Sequence, residues 1–129
     1  MKRNYNISYL DEYDKNEILY KLDNYFKLLV VRHPLDRLLS AYKDKLERDN
    51  KIYQRIYQRS LGVEILKELR PNADSATINS GKGVTFQELV LYTIKHEILY
   101  PHFRPIYNQC FPCQIQYDYI AKLETHAID

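Results

Sequence analysis

Between Lys27 and Leu46 the sequence changes its hydrophobic period without any linker, and few folds accommodate that change. Lys27-Leu28-Leu29-Val30-Val31 contains four consecutive apolar residues, two of them β-branched. Such a run fits a short strand buried on both faces, as in a parallel sheet. Arg32-His33 breaks the run and Pro34 follows. Proline is favoured at the first position of a helix, where its missing N–H costs nothing. Leu35, Leu38, Leu39, Tyr42 and Leu46 then recur at i, i+3, i+4, i+7 and i+11, the apolar stripe of a helix. The unit reads as strand, tight turn, helix, and it assigns the chain to the α/β class.

The flanking sequence supplies further elements. Asp14-Lys15-Asn16-Glu17 has the pattern of a capping box, and Ile18, Leu19, Leu22, Tyr25 and Phe26 follow at helical spacing, predicting a helix from about Lys15 to Asn24. Ile52, Tyr53, Ile56 and Tyr57 extend the helical pattern past Leu46 with a bend, and Val63, Ile65, Leu66 and Leu69 form a further segment that ends at Pro71. The polar stretch from Pro71 to Val84 reads as an exposed loop. Thr85-Phe86-Gln87-Glu88 is a second capping box, and Phe86, Leu89, Val90, Thr93 and Ile94 give its helix one apolar face. Pro101 to Cys113 contains three prolines and predicts little regular structure, whereas Tyr117-Asp118-Tyr119-Ile120-Ala121 reads as a second strand.

Composition excludes several classes. A chain of 129 residues with 45% apolar and 28% charged residues is neither disordered nor collagen-like, and with no inter-domain linker it is expected to form one domain. Three glycines cannot build a phosphate cradle of either common glycine-rich kind. Thirteen tyrosines and no tryptophan suggest half-buried surfaces with the hydroxyl near water. No apolar run approaches the ~20 residues that span a bilayer, and the basic start at Met1 leads into no apolar signal segment. A net charge of +2 does not predict a nucleic-acid binder. Between residues 27 and 70, however, eleven Lys and Arg face six Asp and Glu, a local excess able to attract an anion. Asp44, Glu47 and Asp49 interleave with the basic residues of the 43–59 stretch, so no nucleic-acid partner is expected.

The junction at Arg32 is where chemistry is expected. In open α/β sheets ligands sit beyond the carboxyl ends of strands, and the free N–H groups of a helix start point the same way. At ~100° per residue Ser40 falls about 140°, and Arg37 about 200°, from Leu35, away from the apolar stripe. Arg32 and Ser40 can therefore meet on one open flank, where a guanidinium fork and a hydroxyl suit a phosphate or sulfate. The plainer alternative is an arginine paired with Asp36 and an exposed serine. His102 sits in an irregular segment between two prolines, beside Arg104, and can accept a proton near neutral pH. Catalytic base, substrate or cofactor contact, and structural hydrogen bonding all stay open for it. His33, His96 and His126 read as surface or helix-end residues. Cys110-Phe111-Pro112-Cys113 is too close to the chain end for a thioredoxin-type unit and supplies half a zinc set. A local disulfide or two reduced thiols remain, and no metal is expected.

The segment Val30-Val31-Arg32-His33-Pro34-Leu35-Asp36-Arg37-Leu38-Leu39-Ser40-Ala41-Tyr42 closely resembles the 3′-phosphate-binding motif of sulfotransferases that use 3′-phosphoadenosine 5′-phosphosulfate. The likeness is greatest to the Golgi carbohydrate sulfotransferases of the chondroitin and dermatan 4-O type. Phe86-Gln87-Glu88-Leu89-Val90, His102-Phe103-Arg104-Pro105-Ile106-Tyr107, Cys110-Phe111-Pro112-Cys113 and Tyr117 to Thr125 follow in that family's order and at similar spacing. The resemblance runs from about Tyr25 to Asp129.

The resemblance implies a P-loop-kinase-like α/β fold with a short parallel sheet flanked by helices. It implies transfer of a sulfuryl group from 3′-phosphoadenosine 5′-phosphosulfate to a glycan hydroxyl, with no metal. Arg32 and Ser40 would bind the 3′-phosphate, with Arg37 as an auxiliary. A luminal Golgi location would let Cys110 and Cys113 form a disulfide and would make Asn6, in the sequon Asn6-Ile7-Ser8, a glycosylation site. The family's loop for the 5′-phosphosulfate has no match between Met1 and Phe26, its membrane anchor has none either, and its domain continues past the strand before Thr125. Residues 1–129 are thus expected to be a partial sulfotransferase domain, incomplete at both ends, with little turnover alone. A non-catalytic anion- or nucleotide-binding α/β domain is the alternative.

Overall fold

Local capping decides where the chain becomes helical. In a computed structural model, which describes residues 8–47, 52–98 and 100–125, helix α1 spans Lys15–Asn24 as its capping pattern predicts. Asp14 Oδ1 accepts from the N–H groups of Asn16 and Glu17 at 2.8 and 3.0 Å, satisfying two donors that a helix start leaves open. The chain divides into two compact units, Met1–Val31 with Cys110–Asp129, and Arg32–Gln109. Asn6 and His126 lie outside the described residues. Among the described residues no helix is long and apolar enough to cross a membrane.

The first unit is built on strand β1, Leu28–Val31, paired in parallel with β2, Tyr119–Lys122. Leu29 stands opposite Ile120, and Val31 opposite Lys122. A polar latch starts the ladder. The Lys27 N–H donates to Asp118 Oδ2 at 2.7 Å, its ammonium sits 3.2 Å from the same carboxylate, and the Asp118 N–H returns a bond to the Lys27 carbonyl at 2.9 Å. At the far end Leu123 N–H donates to the Val31 carbonyl. The expected burial on both faces of β1 is corrected here. Leu29 is buried, while Leu28 and Val30 are about half exposed (51% and 52%), because successive side chains alternate between faces and one face of this two-stranded pair is open among the described residues.

In the second unit the sequence stripe becomes α2, Pro34–Tyr42. It passes into a π-helical turn at Lys43–Glu47, then α3 at Ile52–Tyr57, a second π turn at Gln58–Gly62 and α4 at Val63–Leu69. A π turn loosens the i→i−4 ladder, and the buried Gln58 offsets this by donating through Nε2 to the Leu46 carbonyl at 3.0 Å. The stretch expected to be an exposed loop contains a short helix, α5, at Ser75–Ser80. Asp74 caps it by accepting from the Thr77 N–H at 2.8 Å, and both Gly81 and Val84 are buried. Helix α6, Phe86–Lys95, carries the predicted reciprocal capping box between Thr85 and Glu88. Glu88 also takes a bidentate pair from Arg70, at 2.5 and 2.7 Å. Burial pushes the Glu88 carboxyl up, but the Arg70 guanidinium and the Thr85 donors outweigh it, leaving a net pKa below the ordinary range. A last short helix, α7, covers Tyr107–Cys110.

Leu46, Leu61, Ile65, Leu66 and Leu89 form the fully buried centre of this unit, with Tyr42, Val84, Ile98 and Phe103 packed around them. Tyr42 keeps its polar end satisfied by donating to the Val84 carbonyl at 3.0 Å. Leu35, the first residue of the predicted stripe, is 60% exposed; Leu38 and Leu39 are partly buried against the core, and full burial begins at Tyr42. Leu46→Ala is therefore expected to lower stability by about 2–5 kcal/mol and Leu35→Ala by under about 1 kcal/mol. Denaturant midpoints of the two variants check this ranking, and equal losses would contradict it.

Candidate functional site

The Arg32–Gln109 unit contains a cleft of about 440 Å³ at the start of α2. Arg32 follows β1 directly in the chain, and α2 begins two residues later with Pro34 at its first position. The Arg37 N–H makes the opening helical bond, to the His33 carbonyl at 2.9 Å. Side chains one and two turns along the same helix face, Arg37, Ser40 and Asp44, reach the cleft together with Lys45. The opposite wall comes from Pro101, His102 and Gln109. The structure thus brings Arg32, Arg37, Ser40 and His102, all nominated from sequence, to one place.

Arg37 has a definite structural task. Its Nη1 donates to the Arg104 carbonyl at 2.7 Å and its Nη2 to the Pro101 carbonyl at 3.5 Å. Gln109 Nε2 donates to the same two carbonyls, at 3.3 Å for Arg104 and closely for Pro101. His102 lies between those two anchored residues. Two side chains therefore fix the backbone of the turn that presents the imidazole, and the guanidinium expected to be an anion auxiliary is largely committed to that turn.

The imidazole itself packs edge-on against Tyr57, with ring centroids 5.6 Å apart. Burial lowers the pKa of His102, the Lys45 ammonium and Arg37 guanidinium lower it further, and Asp44 opposes them. At neutral pH the ring is accordingly uncharged and able to accept a proton. Lys45 is held by Asp44 at 2.8 Å. Arg32, Arg37 and Lys45 outnumber the one carboxylate among the cleft's lining residues, so an anion entering it meets a favourable field.

Cys110, Cys113, His33 and His96 are not among the cleft's lining residues. Cys110 is half-buried and Cys113 exposed, and both stand as free thiols in this structure. His33 occupies the N-cap of α2 and His96 the C-cap of α6, the latter 2.6 Å from Glu68. Lys45, Asp44 and Gln109 were not singled out by sequence. The first two continue the helical phase of Arg37 and Ser40, a signal that was readable, but Gln109 is brought in by tertiary folding alone.

A basic cleft at the start of a helix gives the Arg32–Gln109 unit the character of an anion-binding scaffold. Comparison with known proteins specifies its lineage: the chain belongs to the Sulfotransferase family, whose profile matches residues 1–129. It is similar to carbohydrate sulfotransferase 11 of Rattus norvegicus, with 34% identity over 125 residues, covering 93% of this chain and 35% of the relative. It is also similar to carbohydrate sulfotransferase 9 of Homo sapiens, at 35% identity over 90% of this chain and 26% of the relative. Carbohydrate sulfotransferase 14 of Danio rerio is 38% identical over 90% of this chain and 31% of the relative. The chain therefore spans roughly a quarter to a third of the length of these relatives. No solved structure matches it.

A histidine whose charged form is disfavoured in the fold contributes stability above its unfolded pKa, about 6.5, and loses it as pH falls through the lower folded value. His102 is expected to titrate below about 6.5, and Lys45→Met is expected to move its midpoint upward by removing a cation and releasing Asp44. NMR titration of the imidazole measures both. A His102 midpoint at or above the ordinary value, or a downward move in the variant, would contradict this electrostatic picture.

Proposed function

We propose that this chain carries the 3′-phosphate-binding part and a proton-accepting part of a carbohydrate sulfotransferase site. The enzyme would transfer a sulfuryl group from 3′-phosphoadenosine 5′-phosphosulfate to a hydroxyl of a chondroitin- or dermatan-like glycan, on the luminal side of the Golgi membrane. The observation that carries the reading is the shared cleft, in which Arg32, Ser40 and His102 stand together. The printed names of the relatives, all carbohydrate sulfotransferases, support a glycan acceptor.

The residues fit the nucleotide's distinguishing group. A 3′-phosphate is a doubly charged oxyanion, and Arg32 offers it a planar fork of donors. Ser40 adds one hydroxyl donor from the second turn of α2. The bound co-substrate supplies the activated sulfuryl group, and the protein's contribution is to position it and stabilise charge. His102, uncharged at neutral pH, accepts the proton of the attacking sugar hydroxyl. Arg37 and Gln109 keep that imidazole in place by anchoring the carbonyls on either side of it.

A charge-assisted hydrogen bond contributes ~1.5–3 kcal/mol, so Arg32→Ala is expected to weaken binding of adenosine 3′,5′-bisphosphate roughly tenfold or more. Binding of adenosine 5′-monophosphate, which lacks the 3′-phosphate, is expected to stay unchanged. Ser40→Ala, removing a neutral donor of ~1 kcal/mol, is expected to cost roughly fivefold. Isothermal titration calorimetry with the two nucleotides is the test. Equal affinity of Arg32→Ala and the parent chain for the bisphosphate would remove Arg32 from the site and the reading with it.

A further inference from the structure

Tyr57, the last residue of α3, is where the turn that carries His102 meets the helices of its own unit. Its ring is set edge-to-face with three rings of one short segment, those of Tyr100, His102 and Phe103, at centroid distances of 5.9, 5.6 and 6.1 Å. The interplanar angles, 63°, 72° and 65°, are those of favourable T-shaped pairs. The Lys45 ammonium stands 5.7 Å from the same ring centre, within cation–π reach. Phe103 belongs to the buried core, and Tyr57 and Tyr100 pack against that core. The Tyr57 ring is therefore itself held in place.

Arg37 and Gln109 fix the backbone around His102, and the Tyr100 carbonyl tightens the turn by accepting from the N–H groups of Phe103 and Arg104 at 2.9 Å. A fixed backbone leaves the two side-chain torsions of His102 undetermined. The orientation of a functional histidine is commonly set by a hydrogen bond at its second ring nitrogen. Among the described residues neither His102 nitrogen has such a partner. The imidazole is exposed toward the cleft that it lines, and Tyr57 covers its other side. A carboxylate in that place would hold the ring and also favour its charged form. A tyrosine ring holds it without that bias.

We propose that Tyr57 is a positioning residue for His102, its ring setting the rotamer that presents the imidazole to the cleft containing Arg32 and Ser40. The proposal rests on the reading of His102 as the proton acceptor and names the group that orients it. A base contributes only when its nitrogen lies within hydrogen-bond reach of the proton it takes, so a ring free to turn would spend part of its time out of reach. The contact is made by the aromatic ring, and phenylalanine supplies the same ring without the hydroxyl. The charged groups facing His102 are Arg37 of α2 and Asp44 and Lys45 of the first π turn. Replacing Tyr57 by another uncharged side chain leaves that set intact.

NMR of the 129-residue chain tests this in the parent, in Tyr57→Phe and in Tyr57→Leu. The parent is expected to show nuclear Overhauser contacts between the Tyr57 and His102 rings, and side-chain couplings of His102 that report one χ1 rotamer. Tyr57→Phe is expected to keep that rotamer and the His102 titration midpoint. Tyr57→Leu is expected to average the couplings over several rotamers and to move the midpoint upward as water reaches the ring. Calorimetric affinity for adenosine 3′,5′-bisphosphate is expected to stay within about twofold of the parent in both variants, which also shows that they fold. Where Tyr57→Leu does not fold, the ring contact in the parent and the rotamer in Tyr57→Phe decide the question. No contact between the rings in the parent, a single unchanged rotamer in folded Tyr57→Leu, or averaging in Tyr57→Phe would overturn the proposal. Nucleotide binding that is absent from the parent, with the dependence of the His102 rotamer on Tyr57 intact, would instead overturn the phosphate site and leave the positioning of His102 standing.

Discussion

A guanidinium on the first turns of α2 reaches across 64 and 67 positions of chain to two backbone carbonyls, those of Pro101 and Arg104. Without partners those carbonyls would carry an uncompensated polar cost wherever they are buried. With them, an irregular, proline-flanked segment acquires a fixed shape. The proposed site depends on that shape, because His102 sits inside the anchored turn, Ser40 sits on the helix that does the anchoring and Arg32 just precedes that helix. Gln109 bonds the same carbonyls from the other side, so the turn is held twice.

Charge and burial then set what the cleft can do. Cations predominate at its lining, which favours an anion, and the same cations combine with burial to keep the imidazole unprotonated. Under the proposed function one arrangement would serve two needs of sulfuryl transfer, a receptor for a phosphate and an acceptor for a sugar proton.

Local physics was legible in the sequence and tertiary physics was not. The bounds of α1 and the reciprocal Thr85–Glu88 cap follow from side chains three residues apart. The parallel pairing of β1 agreed with its apolar run, yet its half-exposed face did not, since a strand's own sequence does not say how many neighbours cover it. Helix α5 was missed because its residues are polar and few, and the buried Gly81 beyond it is explained only by the close approach of the 58–62 turn. At the cleft, Arg32 was nominated from its place at the carboxyl end of the strand and Ser40 from helical phase, and helical phase also reaches Lys45 and Asp44. Gln109 left no such trace, being distant in sequence from everything it supports.

Arg32 and Ser40 are proposed to close on one doubly charged oxyanion, and crystallography of the chain with adenosine 3′,5′-bisphosphate tests this directly. The expected density places the 3′-phosphate within hydrogen-bond distance of the Arg32 guanidinium and the Ser40 hydroxyl together. A nucleotide bound with its 3′-phosphate away from both side chains, or touching one while the other faces solvent, would contradict it.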